Sequence, residues 1–445
     1  MKKTMTRSII SIILAAAFLL GLGFLCVKYF LDSSFWASQS YNPYMISGQG
    51  LENAGSIKDR NGVILAKSEN NTRIYHENEA TRKAMLHTVG DGSYNIATAV
   101  ETAYREKLAG HSTVFGYGLP DSLKGDSSVE ITLDSNVCTE VYEAFEGRKG
   151  ACFVYNYKTG EILCMVSAPT YDPMNIPETL EDGSYLNNCI SSTYTPGSIF
   201  KIITAAAGFE HVKGYKAMTF ECESKKEIGN YEVTCLDTHG NIDLKNAFAY
   251  SCNIAFGDTA LLAGKANLQK TADNMGINKS FKIGKVYTAK GNFDIKNADD
   301  ISTAWAGIGQ HSDTVNPAQM AIICGAIAEG GEVRLPHYVK GENSGKSGRL
   351  MSSEVANELH DLMRYTISDY YGDSMFEGLT VCAKTGTAEV GEGKLPNGWM
   401  VGYSTDEDAP LAFAVVVEEG DYGFYSAGPI ARIAMMGCAE TLRNQ

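Results

Sequence analysis

The stretch Tyr194-Thr195-Pro196-Gly197-Ser198-Ile199-Phe200-Lys201 decides how the rest of this 445-residue chain is read. Pro196-Gly197 makes a turn, and the pattern from Ser198 to Glu210 is helical, with Phe200, Ile202, Ile203 and Ala205–Ala207 supplying apolar neighbours. Residues three apart on a helix share a face, so Ser198 and Lys201 can meet. The helix N-terminus adds backbone N–H groups and positive potential beside the serine oxygen. A serine hydroxyl needs a base to become a nucleophile. Lysine serves only when neutral, so its pKa near 10.4 must be depressed by burial or a nearby cation. The plainer alternative, a capping serine beside a surface lysine, is the stronger reading of this pattern taken alone. Against it, no other serine in the chain has a lysine three residues later, and the apolar neighbours mark a buried helix.

Two further motifs lie downstream. Ser251-Cys252-Asn253 sits between Ala247-Phe248-Ala249-Tyr250 and Ile254-Ala255-Phe256-Gly257. Polar side chains amid so much apolar chain need partners or a task; Ser251 could relay a proton and Asn253 could hold a substrate amide. Lys384-Thr385-Gly386-Thr387 closes the strand-like run Leu379–Ala383. A strand ending this way offers a cation, hydroxyls and, at Gly386, an open backbone edge with which an extended peptide can pair. Lys384, Thr385 and Thr387 can hold a carboxylate. Lys158-Thr159-Gly160 repeats the letters at the tip of a hairpin, where turn chemistry accounts for them.

Ala151–Tyr155 and Glu161–Ser167 form that hairpin, and Asp59-Arg60-Asn61-Gly62 marks another between Ser56-Ile57 and Val63-Ile64-Leu65. Helices are expected at Asn95–Leu108, around 135–147, within Ser302–Ala328, at Glu354–Ile367 and from Pro429 to Leu442. Strands are expected at Val129–Leu133, Leu379–Thr385, Trp399–Tyr403 and Leu411–Glu418. This order predicts an α/β body whose sheet is completed late. Gly118–Ser128 is polar, and the Gly-rich loops Gly341–Gly348 and Gly391–Gly398 read as exposed and mobile.

Ile9–Val27 is a run of 19 uncharged residues flanked by Lys2, Lys3 and Arg7. It spans roughly 28 Å at 1.5 Å per residue, about one hydrocarbon core. The run exceeds a signal-peptide core, and no A-x-A pattern follows, so it reads as an uncleaved anchor. The basic flank places the N-terminus in the cytoplasm and the body outside, reached through a linker over residues 32 to about 46. Beyond residue 31 the chain carries 34 basic against 52 acidic residues, a net −18, which excludes a phosphate-neutralising nucleic-acid binder. Of eleven cysteines, ten lie in the body. Cys152 and Cys382 fit buried apolar positions, and Cys222 and Cys235 could be bridged across a hairpin at Gly229-Asn230. No C-x-x-C occurs, so zinc-ribbon and thioredoxin readings have no support.

The order Ser-x-x-Lys, Ser-x-Asn, Lys-Thr-Gly is a signature of penicillin-binding proteins and serine β-lactamases. From about Gly150 onward the chain resembles the transpeptidase domain of a class B (monofunctional) penicillin-binding protein. The resemblance extends to Tyr157–Leu163, Ser167–Pro173, Gly309-Gln310, Asn316–Ala321 and Gly398–Tyr403. Upstream, Ile57–Gly62, Leu65-Ala66 and Val89–Asp91 resemble the pedestal module of that class. Ala54-Gly55 and His311 depart from its usual Arg-Gly and Gly.

What the resemblance implies is an α/β (α+β) fold: a central antiparallel sheet flanked by helices (148–445), preceded by a small mixed pedestal (32–130), one transmembrane helix (9–28) and a cytoplasmic tail (1–8). It implies D,D-transpeptidation of peptidoglycan stem peptides ending in D-Ala-D-Ala. Ser198 would be the nucleophile, Lys201 its base and Ser251 the proton relay. Asn253 would bind the donor peptide; Lys384, Thr385 and Thr387 would bind its terminal carboxylate, and Gly386 would belong to the same substrate-binding edge. The charge of Lys384 would help lower the pKa of Lys201, and the Ser198 and Thr387 N–H groups would form the oxyanion hole. β-Lactams would acylate Ser198, no metal or organic cofactor would be needed, and a membrane glycan polymerase of the SEDS type would be the partner. The alternatives are a serine β-lactamase, against which no Glu-x-x-Leu-Asn-like element separates Asn253 from Lys384, and a catalytically silent β-lactam- or muropeptide-binding scaffold, against which no motif residue is missing. No G-x-S-x-G or H-E-x-x-H supports a hydrolase triad or zinc peptidase.

Overall fold

Leu411-Ala412-Phe413-Ala414-Val415-Val416-Val417 shows no polar alternation. Successive strand side chains point to opposite faces, so such a strand must be covered on both. The computed structural model describes residues 2–37, 54–70, 72–108, 127–342, 346–391 and 393–444. The chain divides into two compact units, the first comprising Met1–Ile57, Ala66–Ile74 and Tyr104–Val129, the second Lys58–Leu65, Tyr75–Ala103 and Glu130–Gln445.

In the first unit α1 (Lys2–Ala37) contains Thr4–Ser33, which is long and apolar enough to cross a membrane. The helix continues through residues 32–37, where the sequence reading begins a linker. The ion pair of Lys28 with Asp32 one turn later, at 2.8 Å, supports that continuation. The rest of the expected linker and Gly118–Asp126 lie outside the described residues, as do 343–345 and 392 in the two Gly-rich loops.

The second unit is built on a sheet. β1 (Gly150–Asn156) and β2 (Ile162–Ala168) form the expected hairpin, preceded by α2 (Ser135–Ala144), whose N-cap is Asp134. A 3-10 turn, Gly197–Phe200, runs directly into α3 (Lys201–His211). Four short strands follow, β3 (Thr219–Cys222), β4 (Lys225–Ile228), β5 (Tyr231–Thr234) and β6 (Gly240–Asp243), in which β3 pairs with β6 and β4 with β5. Then come α4 (Asn253–Ala263), α5 (Pro317–Ala328) and α6 (Ser353–Tyr365). The chain closes with β7 (Val381–Ala388), β8 (Asn397–Ser404), β9 (Leu411–Val417) and α7 (Gly423–Arg443).

The strand order is β7-β8-β9-β1-β2, antiparallel throughout, so the sheet is indeed completed late in the chain. Every residue of β1, β2, β8 and β9 is buried, and α5 and α7 both pack on β8 and β9. Each fully buried Val, Leu or Phe there contributes about 1.5–3 kcal/mol, and β7 and β2 form the two edges of the sheet.

Two expectations are corrected. Asn95–Leu108 is two single turns, Val100–Ala103 and Arg105–Leu108, rather than one helix. The last helix begins at Gly423 and carries Pro429 inside it. A side chain at Gly423 would stand 2.3 Å from the carbonyl oxygens of Gly386 and Trp399; packing against the sheet sets the helix start and overrides the proline signal.

Candidate active site

Ser198 lies in the 3-10 turn rather than in α-helix, and Lys201 is the first residue of α3. The spacing still brings them together, with Lys201 Nζ 3.0 Å from Ser198 Oγ. Ser251 precedes α4 with φ of 59°, a left-handed conformation uncommon in a residue with a side chain. Its carbonyl oxygen and Oγ lie 2.6 and 3.1 Å from Lys201 Nζ. Asn253 Oδ1 is 2.7 Å from the same nitrogen, while its Nδ2 donates to Thr234 O at 2.9 Å. Lys384 donates to Ser251 Oγ at 3.0 Å and to Thr385 O at 2.9 Å.

The Lys-Thr-Gly motif lies within β7 and does not close it, because pairing with β8 continues unbroken from Val381 to Ala388. At Gly386 an added Cβ would stand 2.9 Å from Ile199 Cγ2 and 3.1 Å from Pro196 O. At Gly197, where φ is 52°, it would stand 2.4 Å from Thr387 O. The missing side chain at Gly386 therefore admits the Ser198 turn against the strand, beyond leaving an edge open. Trp399 on β8 pins the turn from beneath, its Nε1 donating to Thr195 O at 3.0 Å.

Lys201 and Lys384 are wholly buried, and burial governs both. It lowers the Lys201 ammonium to about 8. It drives Lys384 well below the usual lysine range, and repulsion from Lys201 adds to the effect. The ring of Phe256 lies 5.8 Å from Lys201 Nζ and that of Phe248 5.7 Å from Lys384 Nζ, which softens the burial of two cations.

This geometry sets what a neutral Lys201 can do. Its two N–H bonds are claimed by oxygens that can only accept, Ser251 O and Asn253 Oδ1, leaving the lone pair for a hydroxyl. Ser198 Oγ–H can then donate to Nζ, the arrangement needed to activate it.

One neighbour escapes the sequence reading. Tyr371, in the π-helical turn Thr366–Tyr371, bonds through its hydroxyl to Thr385 Oγ1 at 2.6 Å and stacks on Phe424 at 4.4 Å. The exposed-looking pair Tyr370-Tyr371 after an amphipathic helix was the available signal.

Comparison with known proteins gives a consistent result. A family model described as "Penicillin binding protein transpeptidase domain" matches residues 150–436. The chain is 28% identical over 378 residues to Peptidoglycan D,D-transpeptidase PbpA of Mycolicibacterium smegmatis, covering 74% of this chain and 76% of that one. It is similar to the crystal structure of the D,D-transpeptidase domain of a peptidoglycan glycosyltransferase from Eggerthella lenta, with TM-score 0.72, 26% identity and coverage of 88% and 98%. It is also similar to penicillin-binding protein A from M. tuberculosis in its penicillin G acyl-enzyme complex, with TM-score 0.75, 25% identity and coverage of 87% and 99%.

Proposed function

The chain belongs to the penicillin-binding protein transpeptidase family, and on that premise we propose that it cross-links peptidoglycan stem peptides by D,D-transpeptidation through an acyl-enzyme on Ser198. The observation carrying this reading is the 3.0 Å contact between Ser198 Oγ and a buried Lys201 whose pKa is lowered to about 8. Lys201 Nζ takes the Ser198 proton as Oγ attacks the carbonyl between the two terminal D-Ala residues. The tetrahedral oxyanion rests on the N–H groups of Ser198 and Thr387, each worth about 3–4 kcal/mol in the transition state. The C–N bond breaks, and the leaving amine takes a proton through Ser251, which both lysines contact. An amine from a neighbouring stem then attacks the ester, loses its proton by the same route and restores Ser198.

Asn253 orients the donor peptide, which adds to the β7 edge as an extended strand, with Lys384, Thr385, Gly386 and Thr387 around its carboxylate. A β-lactam opens on Ser198 in the same way. Residues 9–28 anchor the protein with its N-terminus in the cytoplasm; residues 32–130 form a pedestal, 148–445 act outside the membrane, and a SEDS-type polymerase supplies the glycan.

Intact-mass spectrometry of the full chain with penicillin tests the reading. A lasting one-to-one adduct, absent in Ser198→Ala, is expected. Turnover without an adduct would replace it with a β-lactamase, and neither adduct nor hydrolysis would replace it with a silent scaffold.

A further inference from the structure

All eleven cysteines are free thiols, so the bridge read between Cys222 and Cys235 is not formed. Three of them instead meet a histidine. Cys222 ends β3, Cys235 follows β5, His239 precedes β6, and Cys252 is the middle residue of Ser251-Cys252-Asn253. Their ligand atoms all lie within 4.8 Å of one another. His239 Nδ1 is 3.4 Å from Cys222 Sγ and 3.6 Å from Cys235 Sγ, and Cys235 Sγ is 4.0 Å from Cys252 Sγ. A tetrahedral ion with bonds of about 2.3 Å to sulfur and about 2.0 Å to nitrogen spaces its ligand atoms about 3.6–3.8 Å apart. The backbone supplies sulfur acceptors with donors as well: Asn253 N–H points to Cys235 Sγ at 3.4 Å and Ala255 N–H to Cys252 Sγ at 3.5 Å. Such bonds orient thiolate ligands and tune them, whereas a neutral thiol is a weak acceptor.

We infer that Cys222, Cys235, His239 and Cys252 hold one zinc ion in a structural site. Three sulfurs and an imidazole form a soft donor set that suits zinc and not calcium or magnesium. Four protein ligands close the site, so the ion takes no part in acyl transfer. Its consequence is positional. The β3–β6 segment is clamped to the start of α4 through Cys252, whose neighbours Ser251 and Asn253 both bond to Lys201 Nζ. The left-handed backbone at Ser251 is the kind of conformation that persists only when its surroundings impose it. Metal binding stands apart from the reaction proposed above; only the effect on acylation rests on that reading.

The test uses the full chain purified in detergent without chelator. Elemental analysis should find about one zinc per chain, and exchange with cobalt should give the thiolate charge-transfer and intense visible bands of a tetrahedral site. His239→Ala should lose the ion and slow penicillin acylation about tenfold or more, while His239→Cys, which keeps a fourth ligand, should restore both. Should His239→Ala fail to fold, the zinc content and cobalt spectrum of the unaltered chain decide. A chain grown with ample zinc that carries no transition metal and gives no cobalt spectrum overturns the site, as does a disulfide between any two of the three cysteines. Unchanged acylation in a folded, metal-free His239→Ala overturns the positioning role. A chain that holds zinc yet takes no penicillin supports the site and refutes the reaction.

Discussion

Lys158-Thr159-Gly160, in the turn between β1 and β2, and Lys384-Thr385-Gly386, within β7, are the same three residues and do opposite things. At the hairpin tip Lys158 is exposed and paired with Glu329, a contact worth about 0–1 kcal/mol. The turn itself is held by Asn156 Oδ1, which accepts from the N–H groups of Lys158 and Thr159 at 2.8 and 3.0 Å, and by a φ of 86° at Gly160. On β7 the lysine is wholly buried, faces a second buried lysine across one hydroxyl, and its glycine gives way to another segment of backbone. Identical letters supply identical functional groups, but only desolvation and neighbours turn them into chemistry.

The widest gap between the two sites should appear at the nucleophile. Ser198→Ala is expected to abolish the penicillin adduct with little change in the unfolding midpoint, checked by mass spectrometry and calorimetry; labelling of the variant at the unaltered rate would break the contrast. Lys201→Ala should slow acylation by about 10²–10⁴, the range for a lost general base. The same contrast has a pH signature. Only neutral Lys201 can accept the proton, and a pKa lowered to about 8 leaves about a tenth of it neutral at pH 7, against about a thousandth or less at an ordinary lysine value. Stopped-flow acylation rates should therefore climb about tenfold per pH unit below 8 and level off above it; a flat profile would remove Lys201 as the base.

The two glycines should also differ in what they tolerate. Gly386→Ala should cut acylation about tenfold or more, since the new methyl meets Ile199 and the Pro196 carbonyl at 2.9 and 3.1 Å and a displaced nucleophile is costly. Gly160→Ala should leave the rate alone and cost about 1–2 kcal/mol of stability through left-handed strain, read by denaturant titration. The smallest effect is expected at Lys158→Ala, with labelling unchanged and stability altered by less than about 0.5 kcal/mol.

Much of this was legible in sequence because it is local. Ser198 and Lys201 are one turn apart, β1 and β2 flank a turn with its own polar logic, and the unbroken apolar run of β9 has the length of a buried strand. What the sequence hides is set by distant chain. The first turn at Ser198 is 3-10, and β7 carries its motif within the strand, because the two are fitted to each other at Gly197 and Gly386. The start of α7 depends on the sheet at Gly423 rather than on Pro429. Tyr371 reaches Thr385 from a π-helical turn that no periodicity announces. The cysteine–histidine cluster uses gaps of 12, 3 and 12 residues, which a search for C-x-x-C passes over, and its four members converge only once β3–β6 fold against α4.

The backbone contact between the Ser198 turn and β7 also bears on how this protein could evolve under antibiotic selection. On the proposed reading, the surface that a β-lactam meets is the surface the cell's own substrate needs, and at Gly197 and Gly386 it has no room for a larger side chain. Escape by substitution is thereby pushed outward, to residues that brace the motifs without forming them, such as Tyr371 against Thr385 or Trp399 beneath Thr195. Resistance selected in this chain should accumulate as several modest changes in that surrounding layer, each trading a little cross-linking for a little drug exclusion, rather than as a single replacement at the centre.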